Sequence, residues 1–377
     1  MLTNIASVIA AGVLAFGGTL ALLPLAHRYG LVDVPCGRHN HPVPTPVVGG
    51  VAIFTGASVT LALSVPISDA VVTYIAASAL IVLVGVIDDL RDLRWWVRGL
   101  AQVLAALIIA IGGARAESVG DLLTLGAWSV PFTVFATVGV INAINMIDGA
   151  DGLAASQVAI ALAYFAAIAA AFGNNELLTI ALILLGAVVG FLALNVRHRG
   201  QPRARAFLGN SGSAYLGLTI AWVSFCLARE PGQSAVGIIA PWLVAIPLID
   251  CVVVFARRGS LGRSPFSADR NHIHHLMLDA GFSTQAMVGL LAMLSVLGGT
   301  FALAWHDTTG GQAILVVVFL AILALHFVLT RRRERVVDWL GASRRILRSP
   351  DQLVTRAIEV EPDPEHASRR GRPTGFR

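Results

Sequence analysis

INAINMIDGADGL, Ile141–Leu153, sets two Asn and two Asp at the junction of two long apolar runs. A polar group left in hydrocarbon without a partner costs roughly 2 to 7 kcal/mol. These side chains are therefore predicted to end a span at a membrane surface, where water and ligands satisfy them. The runs on either side belong to a wider pattern. The chain has 377 residues, 56% hydrophobic and 13% charged. Its apolar residues fall in blocks of roughly 18 to 22, enough to cross about 30 Å of hydrocarbon as helix.

Eleven candidate spans lie near residues 4–26, 46–66, 70–87, 99–113, 121–141, 153–172, 177–195, 211–228, 236–255, 285–304 and 312–330. The second carries Gly49, Gly50 and Gly56, and the fourth is short, so their boundaries are soft. The predicted fold is all-α: a polytopic membrane helical bundle of about eleven helices over 1–330, then a basic tail over 331–377. The first block has no basic residue before it and no small-residue cleavage site after it, which reads as a retained span rather than a signal peptide.

There is no lysine, and all 27 basic residues are Arg. Arg115 and Arg229 fall in even-numbered connections between spans; the other 25 fall in odd-numbered ones and the tail. Arginine excess marks the cytoplasmic side, so the N-terminus is predicted outside and the C-terminus cytoplasmic. The tail holds 12 Arg against 7 acids, and its start, RRRERVVDWLGASRRILR, reads as a basic amphipathic helix suited to an anionic leaflet. Its later part has little to bury and reads as disordered. The three Cys are scattered and give no disulfide framework.

On this topology every chemically unusual segment falls on the cytoplasmic side, while the outer connections are plain. A transporter needs polar groups near the midplane and access to both faces; polar residues gathered at one surface favour an enzyme that takes a water-soluble substrate from the cytosol. Before the tail the inner acids are all Asp, among them Asp88, Asp89, Asp92, Asp148, Asp151 and Asp250. Helical spacing would put Asp88 and Asp92 on one face, and Asn145, Asp148 and Asp151 on another. Packed carboxylates repel unless a cation intervenes or one is protonated. Magnesium suits hard oxygen ligands and is held by one or two carboxylates plus substrate phosphates. Helix capping accounts for a single Asp such as Asp92 but not for the set. Arg257, Arg258, Arg263 and Arg270, with His272, His274 and His275, supply the complement for a diphosphate. The HIHH run lacks the Cys or Glu partners of common zinc sites.

These segments, PTPVVGG, GVIDDLRDL, NAINMIDGADGL, FLGNSGS and PLIDCVVVFARRGSLGRSPFSADRNHIHHL, together resemble the polyprenyl-phosphate N-acetylhexosamine-1-phosphate transferases of bacteria (glycosyltransferase family 4). The match runs over roughly 28–280, and its last segment looks like the branch using UDP-N-acetylglucosamine or a related sugar. The resemblance implies transfer of the sugar phosphate from a UDP-sugar to undecaprenyl phosphate in the bacterial inner membrane. It also implies magnesium, with manganese able to take its place, as the cofactor. It implies catalytic roles for Asp88, Asp89, Asp148 and Asp151, with Asp88 at the lipid phosphate. It implies substrate binding by Arg38, His41, Asn142, Arg257, Arg270, His272, His274 and His275, and metal binding by Asn145, Asp151 and Asn210. It is compatible with a homodimer and implies no nucleic-acid partner.

Two departures stand out. The family usually has FxGDxGS, where this chain has Asn210 in place of the Asp, a change expected to weaken metal affinity or shift a role to Asp151. The first loop has Arg38 and His39 where the family has Arg-Lys. The rival enzyme is an aspartate-rich membrane prenyltransferase, which lacks the HIHH and NAINMIDGADGL segments. The non-enzymatic rival is a transporter of lipid-linked sugars, for which Asp250 is the candidate charged residue within a span.

Overall fold

The computed structural model describes residues 2–34, 43–262 and 271–347. Fourteen helices form the described chain: α1 (Leu2–Tyr29), α2 (Gly49–Ser64), α3 (Asp69–Arg91), α4 (Trp95–Ile111), α5 (Ser129–Ile147), α6 (Leu153–Ala171) and α7 (Asn175–Asn195). They continue with α8 (Gly209–Ala228), α9 (Val236–Leu243), α10 (Ala245–Ser260), α11 (Ile273–Asp279), α12 (Thr284–Trp305), α13 (Gly311–Thr330) and α14 (Arg333–Leu347). Two short antiparallel pairs join them: β1 (Val32–Asp33) with β2 (Thr45–Pro46), and β3 (Ser118–Val119) with β4 (Leu123–Thr124). The all-α membrane bundle expected from the sequence is the observed architecture. Several helix starts follow from local chemistry. Ser68, Asn174 and Ser283 each accept from the backbone N–H three residues on, satisfying donors that a helix end leaves open.

Eight helices are long and apolar enough to cross a membrane, or nine if α9 and α10, bent by 79° at their break, form one span. The expected eleven exceeds this because α2 and α4 hold only 16 and 17 residues. At 1.5 Å per residue they are about 24–26 Å long, short of the full hydrocarbon thickness.

The bundle is organised around α8, in which nearly every side chain from Ser211 to Leu227 is buried. Small residues let its neighbours come close. A Cβ on Gly85 of α3 would lie 2.3 Å from the Ser211 Cα, and one on Gly50 of α2 would lie 2.3 Å from the Gly212 nitrogen. Such backbone-to-backbone approach is how helices associate where lipid offers no hydrophobic drive. Gly56 of α2 makes a similar approach to Ala15 of α1. By contrast α13 is the least buried span, only 11% of its apolar window being covered by protein.

Two polar ends flank this apolar middle. One holds Asp121, which accepts from Gln312 at 2.7 Å and from the Ser234 hydroxyl, while its N–H donates to Gln312 Oε1 at 2.8 Å. These hydrogen bonds lower the Asp121 carboxyl below its usual range. Nearby Arg229 pairs with Glu117 at 3.5 Å and donates to the Gly113 carbonyl. The other end gathers the unusual segments. The start of the tail is α14, which packs on α11 and α13 and carries an Arg333–Asp279 ion pair; the remainder of the tail lies outside the described residues.

Candidate active site

GVIDDLRDL ends α3 and reverses the chain. Asp92 closes the helix in the left-handed region (φ 49°), and its N–H bonds the Asp88 carbonyl at 2.8 Å. Helical spacing between Asp88 and Asp92 thus does not persist, because the helix ends at Arg91. The buried Asp88 carboxylate accepts from Leu93 N at 2.7 Å and from Arg98 Nη1 at 3.2 Å. Its neighbour Asp89 turns to the start of α8 and accepts from the Asn210 and Ser211 N–H groups at 2.8 and 3.3 Å. A carboxylate at a helix N-terminus meets open donors and the positive end of the macrodipole. Asp89 therefore anchors FLGNSGS to α3.

INAINMIDGADGL ends α5 at Ile147 and turns into α6 at Leu153. Helical spacing holds from Asn142 to Asn145 and fails at Asp148, which is already the cap. Asn142 donates to Gln102 Oε1 at 2.8 Å. Asn145 donates to Asn210 Oδ1 at 3.2 Å and to Ser213 at 2.8 Å. Asp151 accepts from Arg197 Nε at 2.6 Å and from Ala204 N at 3.0 Å, and Asn195 accepts from Gly152 N at 2.8 Å. The turn is thus laced to the 196–206 loop. Desolvation pushes the Asp148 carboxyl up to about 7, with the charges of Asp89 and Asp151 adding to it. These charges repel one another, and the oxygens of Asp89 and Asp151 are already engaged by the Asn210 and Ser211 N–H groups and by Arg197 and the Ala204 N–H.

The histidine segment comes from the far side. His272 Nδ1 lies 2.6 Å from Asp250 Oδ2, and Ile273 N donates to Asp250 Oδ1 at 2.8 Å. His274 reaches the Asp148 turn. A Cβ on Gly149 would lie 2.3 Å from its Nε2, so only glycine leaves room for that ring. His274 is buried, its Nδ1 has no hydrogen-bond partner among the described residues, and desolvation, ahead of the effect of His275, lowers its pKa to about 3, which favours the neutral ring. Its ring centre is 4.2 Å from that of His275 and 5.7 Å from that of His272. Among the described residues no three His, Cys, Asp or Glu side chains form a group able to hold a metal ion by themselves.

These ends meet on a cavity of about 940 Å³. Its polar part is lined by Asp88, Arg98, Asn142, Asn145 and Asn210 on one side and by Arg258, His272, His274 and His275 on the other. From there it runs along an apolar wall that includes Ile81, Phe132, Phe135, Ile220 and Phe255. Asp89, Asp148, Asp151 and Arg257 are not among its lining residues; Arg257 is directed to the Thr330 carbonyl of α13, at 3.5 Å. Arg38, His41 and Arg270 lie outside the described residues.

Residues 71–228 match the sequence profile of Glycosyl transferase family 4. The undecaprenyl-phosphate alpha-N-acetylglucosaminyl 1-phosphate transferase of Salmonella typhimurium is 31% identical over 331 residues, 86% of this chain and 90% of that protein. The chain belongs to glycosyl transferase family 4. The enzymes of the same name from Escherichia coli K12 and Haemophilus influenzae are 30% and 29% identical over 86% and 88% of the chain.

Within this family 4 chain the profile spans α3 to α8 and so covers Asp88, Asn145, Asp151 and Asn210, but neither Asp250 nor the histidine segment. Two site residues were not anticipated from the sequence. Arg98 and Gln102, on one face of α4, reach Asp88 and Asn142. Their i, i+4 spacing inside an apolar run is the signal that marks them. Arg258, rather than its neighbour Arg257, lines the cavity, a choice that adjacent residues of one type cannot reveal.

Proposed function

We propose that this chain transfers N-acetylhexosamine 1-phosphate, first of all N-acetylglucosamine 1-phosphate, from a UDP-sugar to undecaprenyl phosphate. The products are undecaprenyl-diphospho-sugar and UMP, as the first membrane step of a cell-surface polysaccharide. The observation that carries this reading is the form of the cavity. An apolar channel suited to an isoprenoid ends at Asp88 and Arg98, facing the imidazoles and Arg258 across the opening. The names of the three relatives give undecaprenyl phosphate and an N-acetylglucosaminyl 1-phosphate group, which supports the acceptor and the transferred group. A prenyltransferase or a transporter gains nothing from the histidine wall.

The chemistry needs few actors. A phosphate oxygen of the lipid attacks the sugar-bearing phosphorus of the UDP-sugar. One phosphoanhydride P–O bond forms, the other breaks, and the electron pair leaves on UMP. Bringing two anions together is a matter of positioning and charge neutralisation. Arg98 shares its charge with Asp88, so an arriving lipid phosphate exchanges one anionic partner of the guanidinium for another. A lipid phosphate has its second pKa near 6, by analogy with a phosphomonoester, so Asp88 need only keep it dianionic. Asn142 is held by Gln102 beside this point. Asp89 and Asp151 keep the α8 start and the α5–α6 turn in place. Asn145 and Asn210, which line the cavity, and Asp151 are the residues that would hold magnesium. When bound it would neutralise charge on the diphosphate.

Incubating membranes with a panel of UDP-N-acetylhexosamines and identifying the lipid product by mass spectrometry tests the reading. A diphosphate-linked N-acetylhexosamine lipid with stoichiometric UMP is expected, and no lipid product from any donor would refute it. Asn210→Asp restores a formal charge beside Asn145. It should tighten manganese binding, followed by electron paramagnetic resonance, and lower the magnesium concentration for half-maximal activity. An unchanged requirement and unchanged binding would remove Asn210 from the ligand set.

A further inference from the structure

Asp250 stands on α10 with its carboxylate 2% exposed. From the start of α11 it receives His272 Nδ1 and the Ile273 N–H. From α13 a third group approaches: His326 Nε2 lies 3.7 Å from Asp250 Oδ1. A carboxylate only accepts, so His272 carries its proton on Nδ1 and presents Nε2 elsewhere. His272 lines the cavity. The orientation of this ring is therefore set by what holds Asp250.

His326 is out of character with its helix. In GQAILVVVFLAILALHFVLT it is the only titratable residue, on the span least covered by protein. An ionisable group in such a helix is costly unless it faces a polar partner, and is a sign of function. Its partner is Asp250. One turn later the Thr330 carbonyl accepts from Arg257, so α13 is tied to α10 at two successive turns. The α12 helix, which also packs on α10, contributes no titratable side chain.

We propose that His326 is a positioning residue for the sugar-nucleotide site: it faces the same Asp250 carboxylate as His272 and so fixes the tilt of the ring that faces the cavity. The inference rests on the reading of His272 as a contact to the donor diphosphate. Partners of this kind behind a binding imidazole matter nearly as much as the imidazole itself. The sequence from Asp250 to His272 lies in the segments that resemble the family, whereas His326 lies beyond them.

The test uses the full chain in detergent with His326→Leu, which removes the imidazole, and His326→Gln, which keeps a side-chain donor. The first readout needs no substrate: the ¹⁵N-histidine spectrum, with the His272 signal identified by its loss in His272→Gln. In His326→Leu the His272 nitrogen shifts should move as the ring is released, with Nδ1–H kept by Asp250, and in His326→Gln they should stay as in the wild type. The second readout is kinetic. His326→Leu should raise the KM for UDP-N-acetylglucosamine about tenfold, the lower range for removing such a partner, and His326→Gln should recover most of it. The KM for undecaprenyl phosphate and kcat should change less than about twofold, since donor binding alone is affected. An unaltered His272 pattern with an unaltered KM in His326→Leu would overturn the proposal. So would equal losses of heat stability and of affinity for both substrates in the two variants, which would mark His326 as packing. Should the wild-type chain transfer nothing from any UDP-sugar, the donor reading fails, and the His272 pattern still decides the role of His326.

Discussion

Asp88→Asn removes sugar-phosphate transfer, with kcat expected to fall about 10³-fold, within the range typical of a lost acid–base group. The substitution keeps the shape of the side chain, and the Asn oxygen can still accept from Leu93 N, so the chain reversal after α3 survives. What changes is the face toward Arg98. The carboxylate oxygen that accepts from its guanidinium becomes an amide N–H₂, donor against donor, and the negative charge that balances Arg98 is gone. A lipid phosphate would still be drawn to Arg98, but nothing would keep it deprotonated or hold it at the mouth of the channel. Transfer of radiolabelled sugar phosphate in membranes checks this, with the melting temperature and yield as controls. Wild-type turnover in a normally folded Asp88→Asn protein would take Asp88 out of the mechanism.

Gly85→Val should be almost as damaging, through the fold. A Cβ at that position would sit 2.3 Å from the Ser211 Cα and 2.7 Å from its nitrogen, both backbone atoms that no rotamer change can move. Overpacking of a core usually costs 1 to 3 kcal/mol, and here about 3 kcal/mol is expected because two helix axes have to part. The damage also reaches the chemistry. Asp89, one turn along α3, holds the N–H groups of Asn210 and Ser211, and Asn210 in turn accepts from Asn145. A shifted α8 start loosens all three. Thermal unfolding followed by size-exclusion chromatography, together with the transfer assay, should show a lowered transition and lost activity. A variant with wild-type melting and turnover would mean that α3 and α8 do not approach as described.

Much of this architecture is legible in the sequence because a membrane imposes two simple rules, apolar length and positive flanks. The polar junctions stand out against that background, and Asp88, Asn142, Asn145, Asn210, His272, His274 and His275 do line one cavity. The failures have definite causes. Spacing arguments assume that the helix continues, and both aspartate segments stop it: Asp92 by a left-handed turn and INMIDGADGL by leaving the helix after Ile147. Asp89 and Asp151 read as site carboxylates, yet their oxygens face backbone N–H groups and Arg197, contacts with residues 46 to 122 positions away. The glycines of α2 blur the bounds of that span in the sequence, whereas in the fold Gly50 and Gly56 admit the backbones of α8 and α1. His326 is a single titratable letter in a hydrophobic helix, and only the folded chain shows what it meets.

The fastening opposite the site bears on how a turnover can run. Asp121 clasps Gln312 and Ser234, and Arg229 bridges to Glu117 and Gly113, so the β3–β4 ribbon, the α8–α9 linker and the start of α13 are buttoned together there. A bundle pinned at one rim flexes like a clothes peg. Any opening of the site would then have its fulcrum at that rim and its greatest travel where α10, α11 and α13 meet the aspartate loops.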